Sequence, residues 1–144
     1  MKIDLVNIAK FCAEEIIRQR DSVTTLAPYI QAWVKAISWF EGGIPLTPAV
    51  IIELHHIAKP DLRGYRNYDV YVGSKRMPDP QTIKRSMLML FGSGLTPAEF
   101  YKEFEEIHPF QDGNGRIGKI IFNWHNNTLG DPLLPPNFWG HENL

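Results

Sequence analysis

Strand-like alternation occurs once in this chain, and only briefly. Tyr68, Val70 and Val72 alternate with Asp69 and Tyr71, Gly73-Ser74 permits a turn, and Lys75-Arg76-Met77 follows. A hairpin of that size cannot stand as a sheet domain, so it must lie on a body made of something else. The rest of the chain reads as helix. Leu5, Ile8, Phe11, Cys12 and Ile16 recur at helical spacing up to about Arg20. Ile30, Trp33, Val34 and Ile37 mark a second helix, from the Thr24/Thr25 region to Phe40, which Gly42-Gly43 ends.

Two threonine-proline pairs open further helices. Thr47-Pro48 offers an N-cap hydroxyl and a proline at the first helical position, with Ile51, Leu54 and Ala58 as the buried face. Thr96-Pro97-Ala98-Glu99 is a capping box, and Phe100, Phe104 and Ile107 follow on the core side. Between them, Ile83, Met87 and Leu90 share one face of a helix that resumes near Pro80 and breaks at Gly92-Ser93-Gly94. A last helix carries Ile117, Ile120, Ile121 and Trp124. The tail, with Pro132, Pro135 and Pro136, reads as an extended strap. The fold class is mainly α: a compact helical domain with one short β-hairpin.

At 144 residues the chain is one domain in size, long enough to bury a core. Its formal charge of -1 supplies no overall basic field, which argues against nucleic acid as a partner. A single cysteine, Cys12, excludes an intramolecular disulfide and sits in the apolar stripe of the first helix. No apolar run is long enough to span a bilayer. The N-terminus reads as an amphipathic helix, not as a cleaved leader, so the expected location is cytoplasmic and no membrane partner is expected.

Chemistry is concentrated in His108-Pro109-Phe110-Gln111-Asp112-Gly113-Asn114-Gly115-Arg116-Ile117-Gly118-Lys119. Pro109 disfavours helical geometry at His108 and turns the chain. Phe110 is the apolar anchor of an otherwise polar loop. Gly113 and Gly115 permit positive φ and close approach of backbone N–H groups at the start of the next helix, where the dipole favours an anion. Asp112 beside that cradle suits Mg²⁺, which takes one or two carboxylates and completes its shell with phosphate oxygens and water. Arg116 and Lys119, three residues apart, share a helix face directed at the same phosphates. His108 can be neutral at working pH and accept a hydroxyl proton.

The order and spacing of these residues resemble the signature of Fic-domain proteins, H-x-F-x-[DE]-G-N-G-R-x-x-R, and meet every specified position but the last, where Lys119 replaces arginine. Upstream, Gly64-Tyr65-Arg66, Val70-Tyr71-Val72-Gly73, Met77-Pro78 and Pro80 resemble the family's flap. The likeness covers about residues 45–130, preceded by N-terminal helices over 1–44 and followed by the tail over 131–144. It implies a Fic-type fold and transfer of AMP from ATP to a Ser, Thr or Tyr hydroxyl of a target protein. His108 would be the general base and Asp112 the Mg²⁺ ligand. Gly113, Asn114 and Gly115 would hold the phosphates, with Arg116 and Lys119 as clamps. Val70, Tyr71, Val72 and Gly73 would dock the target by β-augmentation.

Lys119 keeps the charge of the family's arginine but loses its planar fork. Activity could survive at a reduced rate or with another donor. The related phosphotransferase branch lacks the second glycine that this chain retains as Gly115, which favours nucleotidyl transfer over a kinase. Many relatives carry an inhibitory helix of the form [ST]-x-x-x-E-[GN]. Glu41-Gly42 fits its end, but Ile37 stands at the hydroxyl position, so Glu41 on Lys119 competes with a plain helix terminus. A regulated toxin held by a separate antitoxin is also compatible with the family. The alternatives are transfer of another nucleotide or of a phosphoryl group, and a nucleotide-binding or interaction module with a degenerate clamp. His55, His56, His125 and His141 follow no metal-ligand spacing and read as structural or surface residues.

Overall fold

The computed structural model describes residues 1–139. Its elements, in order, are α1 (Leu5–Arg18), α2 (Leu26–Glu41), α3 (Pro48–Ala58), β1 (Tyr71–Val72), β2 (Lys75–Arg76), α4 (Ile83–Phe91), α5 (Pro97–Ile107) and α6 (Asn114–His125). Short 3₁₀ turns, Val23–Thr25 and Pro80–Thr82, lead into α2 and α4, so each of those helices begins a few residues later than its sequence start signals. Both threonine-proline starts form as expected. The Thr47 side chain accepts from the Val50 N–H, and Thr96 and Glu99 bond each other's backbone in a complete capping box. Among the described residues no helix is long and apolar enough to cross a membrane.

The arrangement is built around α6. Residues Asn114 to Trp124 of that helix are all buried, with α2, α3 and α5 packed against it. Ile117, Ile120 and Ile121 supply the apolar contacts, joined by Tyr29 and Trp33 of α2 and by Phe104 of α5. A helix enclosed on every side needs room for its neighbours, and Gly118 provides it. A Cβ there would stand 2.3 Å from the Glu105 carboxylate and 3.1 Å from the Tyr101 ring. Enclosure also requires every polar side chain on α6 to find a partner. Asn123 bonds both backbone groups of Leu133 and so straps the tail to the body. Arg116 and Lys119 find theirs at the N-terminal end of the chain.

That requirement changes the face that α1 buries. Ile8, Phe11, Cys12 and Ile16 are inside, as the spacing predicts, but Glu15 is wholly buried beside them while Leu5 and Ile17 remain exposed. Val34, read as core on α2, is likewise exposed. Burial pushes the Cys12 thiol up to about 12, with the Glu15 charge adding to it. This cysteine packs as a small hydrophobe and is not a reactive thiolate. The Asp4 N–H donates to the Gly130 carbonyl at 2.7 Å, which joins the start of α1 to the segment that follows α6. The hairpin is antiparallel, pairing Tyr71 with Arg76 and Val72 with Lys75, and it lies over the C-terminal end of α5.

Candidate active site

At the end of α5 the chain turns on His108, which takes left-handed geometry (φ 52°, ψ 60°). A non-glycine residue there costs on the order of 1 kcal/mol, and the surroundings hold it in place. The Arg66 Nε donates to the His108 carbonyl at 2.6 Å, and the Arg66 N–H donates to the Pro109 carbonyl at 2.9 Å. The same guanidinium reaches the Pro78 carbonyl through Nη2 at 2.6 Å. One buried arginine thus joins the end of α5 to both flanks of the hairpin.

Phe110 is fully buried and stacks on the His55 ring, with centroids 3.8 Å apart and planes 4° from parallel. Asn114 closes the loop on itself, because its Oδ1 accepts from the Phe110 N–H (2.9 Å) and its Nδ2 donates to the Phe110 carbonyl (2.8 Å). The Asn114 side chain is therefore occupied as a brace of the loop. What the loop offers an anion is its backbone. Gly113 adopts φ +83°, and a Cβ there would lie 3.1 Å from Lys59 Cγ. Gly115 departs from the expectation of positive φ and continues α6 in ordinary helical geometry. The first N–H groups of α6 have no intrahelical acceptor.

These N–H groups border a cavity of about 410 Å³ lined by Asp21, residues 70–72, His108 and residues 111–116. His108, Asp112, the Gly113-Asn114-Gly115 turn, Arg116 and three of the four flap residues therefore come together. Gly73 turns the hairpin at φ +62° and is not part of that lining. Lys119 is not part of it either. Its Nζ is buried 2.7 Å from Glu15 Oε2, and Arg18 binds the same carboxylate. The glutamate that meets Lys119 is thus Glu15 of α1, not Glu41. Glu41 is half exposed at the end of α2, with its carboxylate 3.6 Å from the Met1 amine.

Burial, reinforced by the Arg66 charge, lowers the His108 pKa to about 4, against a smaller opposing pull from Asp112. The ring is neutral through the physiological range. His108 also borders a second cavity of about 260 Å³, together with Val72, Lys75, Met77, Glu105, Glu106 and Trp139. It stands as a wall common to the glycine-turn side and the flap side.

Asp112 presents its carboxylate largely to solvent, with Oδ2 3.0 Å from Lys59 Nζ and Oδ1 accepting from the Gly113 N–H. Burial works against its ionisation, but the Lys59 hydrogen bond and charge hold it below the usual carboxylate range. One ionised carboxylate beside the free N–H groups at the start of α6 is a donor set that could hold Mg²⁺, most of whose shell comes from ligand and water. Among the described residues no group of three or more His, Cys, Asp or Glu could enclose a metal alone.

Three ionic partners escaped the sequence reading, and His55, read as structural, supports the loop directly. His55 carries Phe110 and donates from Nε2 to the Asp112 carbonyl at 2.8 Å. Lys59 pairs with Asp112, Asp21 pairs with Arg116, and Glu15 pairs with Lys119. His56 bonds the Leu62 carbonyl, and His125 packs edge-on against Phe100, as structural residues do. His141 lies outside the described residues.

A helical body, a glycine turn opening a buried helix and a histidine facing a hairpin define a recognisable class. The Fic/DOC family model matches residues 45–125, more than half of the chain, and the chain belongs to that family. It is 33% identical over 72 residues to a probable protein adenylyltransferase of Aquifex aeolicus (strain VF5), covering 42% of this chain and 22% of that one. It is 32% identical over 84 residues to a Fido domain-containing protein of Dictyostelium discoideum, covering 50% and 59% respectively. A uridine 5'-monophosphate transferase of Xanthomonas campestris pv. campestris (strain 8004) is 26% identical over 134 residues, covering 71% of this chain and 25% of the relative. The chain spans between about a fifth and three fifths of the lengths of these relatives.

Proposed function

We propose that this chain transfers a nucleoside monophosphate from a nucleoside triphosphate to a hydroxyl of a target protein, with AMP from ATP as the leading case. The observation that carries the reading is the position of His108 between two cavities, one bordered by the glycine turn, Asp112 and Arg116, the other by the flap. A base acting on an acceptor hydroxyl next to a bound phosphate must face both.

In this reading the target's main chain pairs with the flap edge at Tyr71 and Val72, bringing a Ser, Thr or Tyr hydroxyl to the neutral His108 ring. The hydroxyl oxygen bonds to the α-phosphorus and its proton passes to a ring nitrogen. The bond from that phosphorus to the bridging oxygen breaks, and pyrophosphate leaves. A histidine of low pKa is a weak base, so proton transfer is favourable only as the oxygen–phosphorus bond forms. The N–H groups at the start of α6 and the Arg116 guanidinium stabilise the charge that develops on the phosphates. Asp112 would hold Mg²⁺, which neutralises phosphate charge when bound.

Two features bear on the donor. Lys119 is engaged with Glu15 and does not border the cavity, so the terminal phosphate is left mainly to Arg116 and backbone. In addition, a relative named as a uridine 5'-monophosphate transferase aligns with most of this chain. UTP is therefore the second donor to test. A regulated toxin held by a separate antitoxin remains part of the proposal, tested by what co-purifies with the chain.

The experiment is label transfer in a cell lysate with Mg²⁺, using α-labelled and γ-labelled ATP and α-labelled UTP side by side. We expect α-label on protein that falls by at least about 10²-fold in His108→Ala. Label from the γ position alone would move the chain to phosphoryl transfer. His108→Ala at the wild-type rate would remove the base from the mechanism.

A further inference from the structure

The two ionic groups that the reading above assigns to metal and phosphate are already paired within the chain. Asp112 Oδ2 is 3.0 Å from Lys59 Nζ, and Arg116 Nη2 donates to Asp21 Oδ2. The two partners are themselves linked, with Lys59 Nζ 3.9 Å from Asp21 Oδ2. The four groups form one alternating row, Asp112, Lys59, Asp21, Arg116. Three of its members, Asp112, Asp21 and Arg116, line the 410 Å³ cavity.

Each link has structural support. Lys59 follows the end of α3, its stem passes beneath Gly113, and its side chain is mostly buried. Asp21 follows α1. Burial raises its pKa, but the Arg116 hydrogen bond, the Ser22 N–H and the Arg116 and Lys59 charges together hold it below the usual range. Arg116 is buried, and its Nη1 has no hydrogen-bond partner among the described residues. A buried guanidinium nitrogen without an acceptor is costly. This one lies beside the one carboxylate that holds the other half of the fork.

We infer that Asp21 and Lys59 are the resident counter-ions of this site, exchanged together for a metal-bound polyphosphate. Asp21 occupies the place of a phosphate oxygen on Arg116, and Lys59 occupies the place of a cation on Asp112. The proposal rests on the phosphate-binding reading of the loop and adds a selectivity that the motif itself does not contain. A polyphosphate arriving alone meets the Asp21 carboxylate it must displace, and a metal arriving alone meets the Lys59 ammonium. When the two arrive together, the displaced Asp21 and Lys59 are close enough to neutralise each other. The row therefore favours the complexed ligand over either component, and Asp21 and Lys59 set that preference from outside the signature.

The test uses the full chain with inorganic pyrophosphate and Mn²⁺ as probes, so it does not depend on the nucleotide or on turnover. Calorimetry would compare pyrophosphate binding in EDTA and in excess Mg²⁺ for wild type and Asp21→Asn. Mn²⁺ binding without phosphate would be compared for wild type and Lys59→Gln by electron paramagnetic resonance. We expect wild type to bind pyrophosphate at least tenfold more tightly with Mg²⁺. Asp21→Asn should recover about tenfold in EDTA and narrow that ratio, and Lys59→Gln should bind Mn²⁺ several-fold more tightly.

Asp21→Asn binding pyrophosphate in EDTA equally or more weakly would overturn the inference, since Asp21 would then be orienting Arg116 or be a bystander. Unchanged Mn²⁺ binding in Lys59→Gln would overturn it independently, and that arm carries the test if thermal melting shows Asp21→Asn unfolded. Absence of pyrophosphate binding in every protein would also overturn it. If the exchange behaves as expected but no label reaches protein, the row stands and nucleotidyl transfer falls.

Discussion

The glycine turn and the flap face the same cavity, yet they are built on opposite principles. In the turn, Phe110 and Asn114 are buried, both backbone groups of Phe110 are bonded by Asn114, and the His55 ring lies flat on Phe110. In the flap the strands are two residues long, Tyr71 is exposed, and the Arg76–Asp69 pair is solvated. The flap is tied to the body chiefly through Arg66 and the carbonyls it gathers. One half of the site is part of the core, and the other half rests on it. Groups fixed before a ligand arrives suit the phosphate binding proposed for the turn. A loosely held edge suits the peptide pairing proposed for the flap, since surfaces that must adapt are drawn from the low-stability end of a structure.

Asn114→Ala should break this contrast most severely. It leaves the Phe110 N–H and carbonyl buried without partners, each worth about 1–3 kcal/mol, so a loss of about 2–4 kcal/mol in urea unfolding is expected. If Asn114 mainly held ligand, stability would change little and only nucleotide binding would fall.

The motif was legible because its residue types and spacing are local, and so were the helix starts at Thr47 and Thr96. The ionic partners were not. Glu15 reads as one more polar residue of an amphipathic helix, because nothing within α1 reveals that α6 brings Lys119 against it from 104 positions away. Asp21 and Lys59 sit just past helix ends, where charged residues are ordinarily solvated. Glu41 was singled out because a short local pattern matched. The fold instead supplied a carboxylate from an element with no such pattern. Local rules recover elements and loops, but the pairing of buried charges depends on which helix faces are enclosed.

Glu105 tests the core half through pH, with an intermediate effect. It is buried against Gly118, and neither carboxylate oxygen has a hydrogen-bond partner among the described residues. Burial raises its pKa to about 7, with Lys119 opposing and Glu15 reinforcing the rise. Between about pH 4.5 and 7 the folded chain therefore holds a proton at this position that the unfolded chain has released, so this group lowers stability as pH rises. His108 acts in the opposite sense, adding stability between about pH 4 and 6.5, because its folded pKa is depressed. The two largely cancel in the wild type. Glu105→Gln should unmask the His108 slope, gaining on the order of 1–3 kcal/mol over wild type at pH 8 and little at pH 5. Equal changes at both pH values would mean that the carboxyl is not titrating.

The smallest effect is expected in the flap, and it is the sharpest check on the comparison. Arg76 and Asp69 lie 2.9 Å apart with both side chains about half exposed. The Asp69 hydrogen bond and charge raise the Arg76 pKa, but an exposed pair exchanges one hydrated contact for another and contributes little to folding. Arg76→Ala should leave the melting temperature unchanged within error, while amide exchange over residues 69–77 quickens because the hairpin loses a side-chain tether. The global melt reads the core and the local exchange reads the flap, so the two measurements should separate. If the melting temperature fell as far as in Asn114→Ala, the hairpin would belong to the cooperative core. A flap of that kind could not open to take the proposed target strand without loosening the glycine turn beneath it.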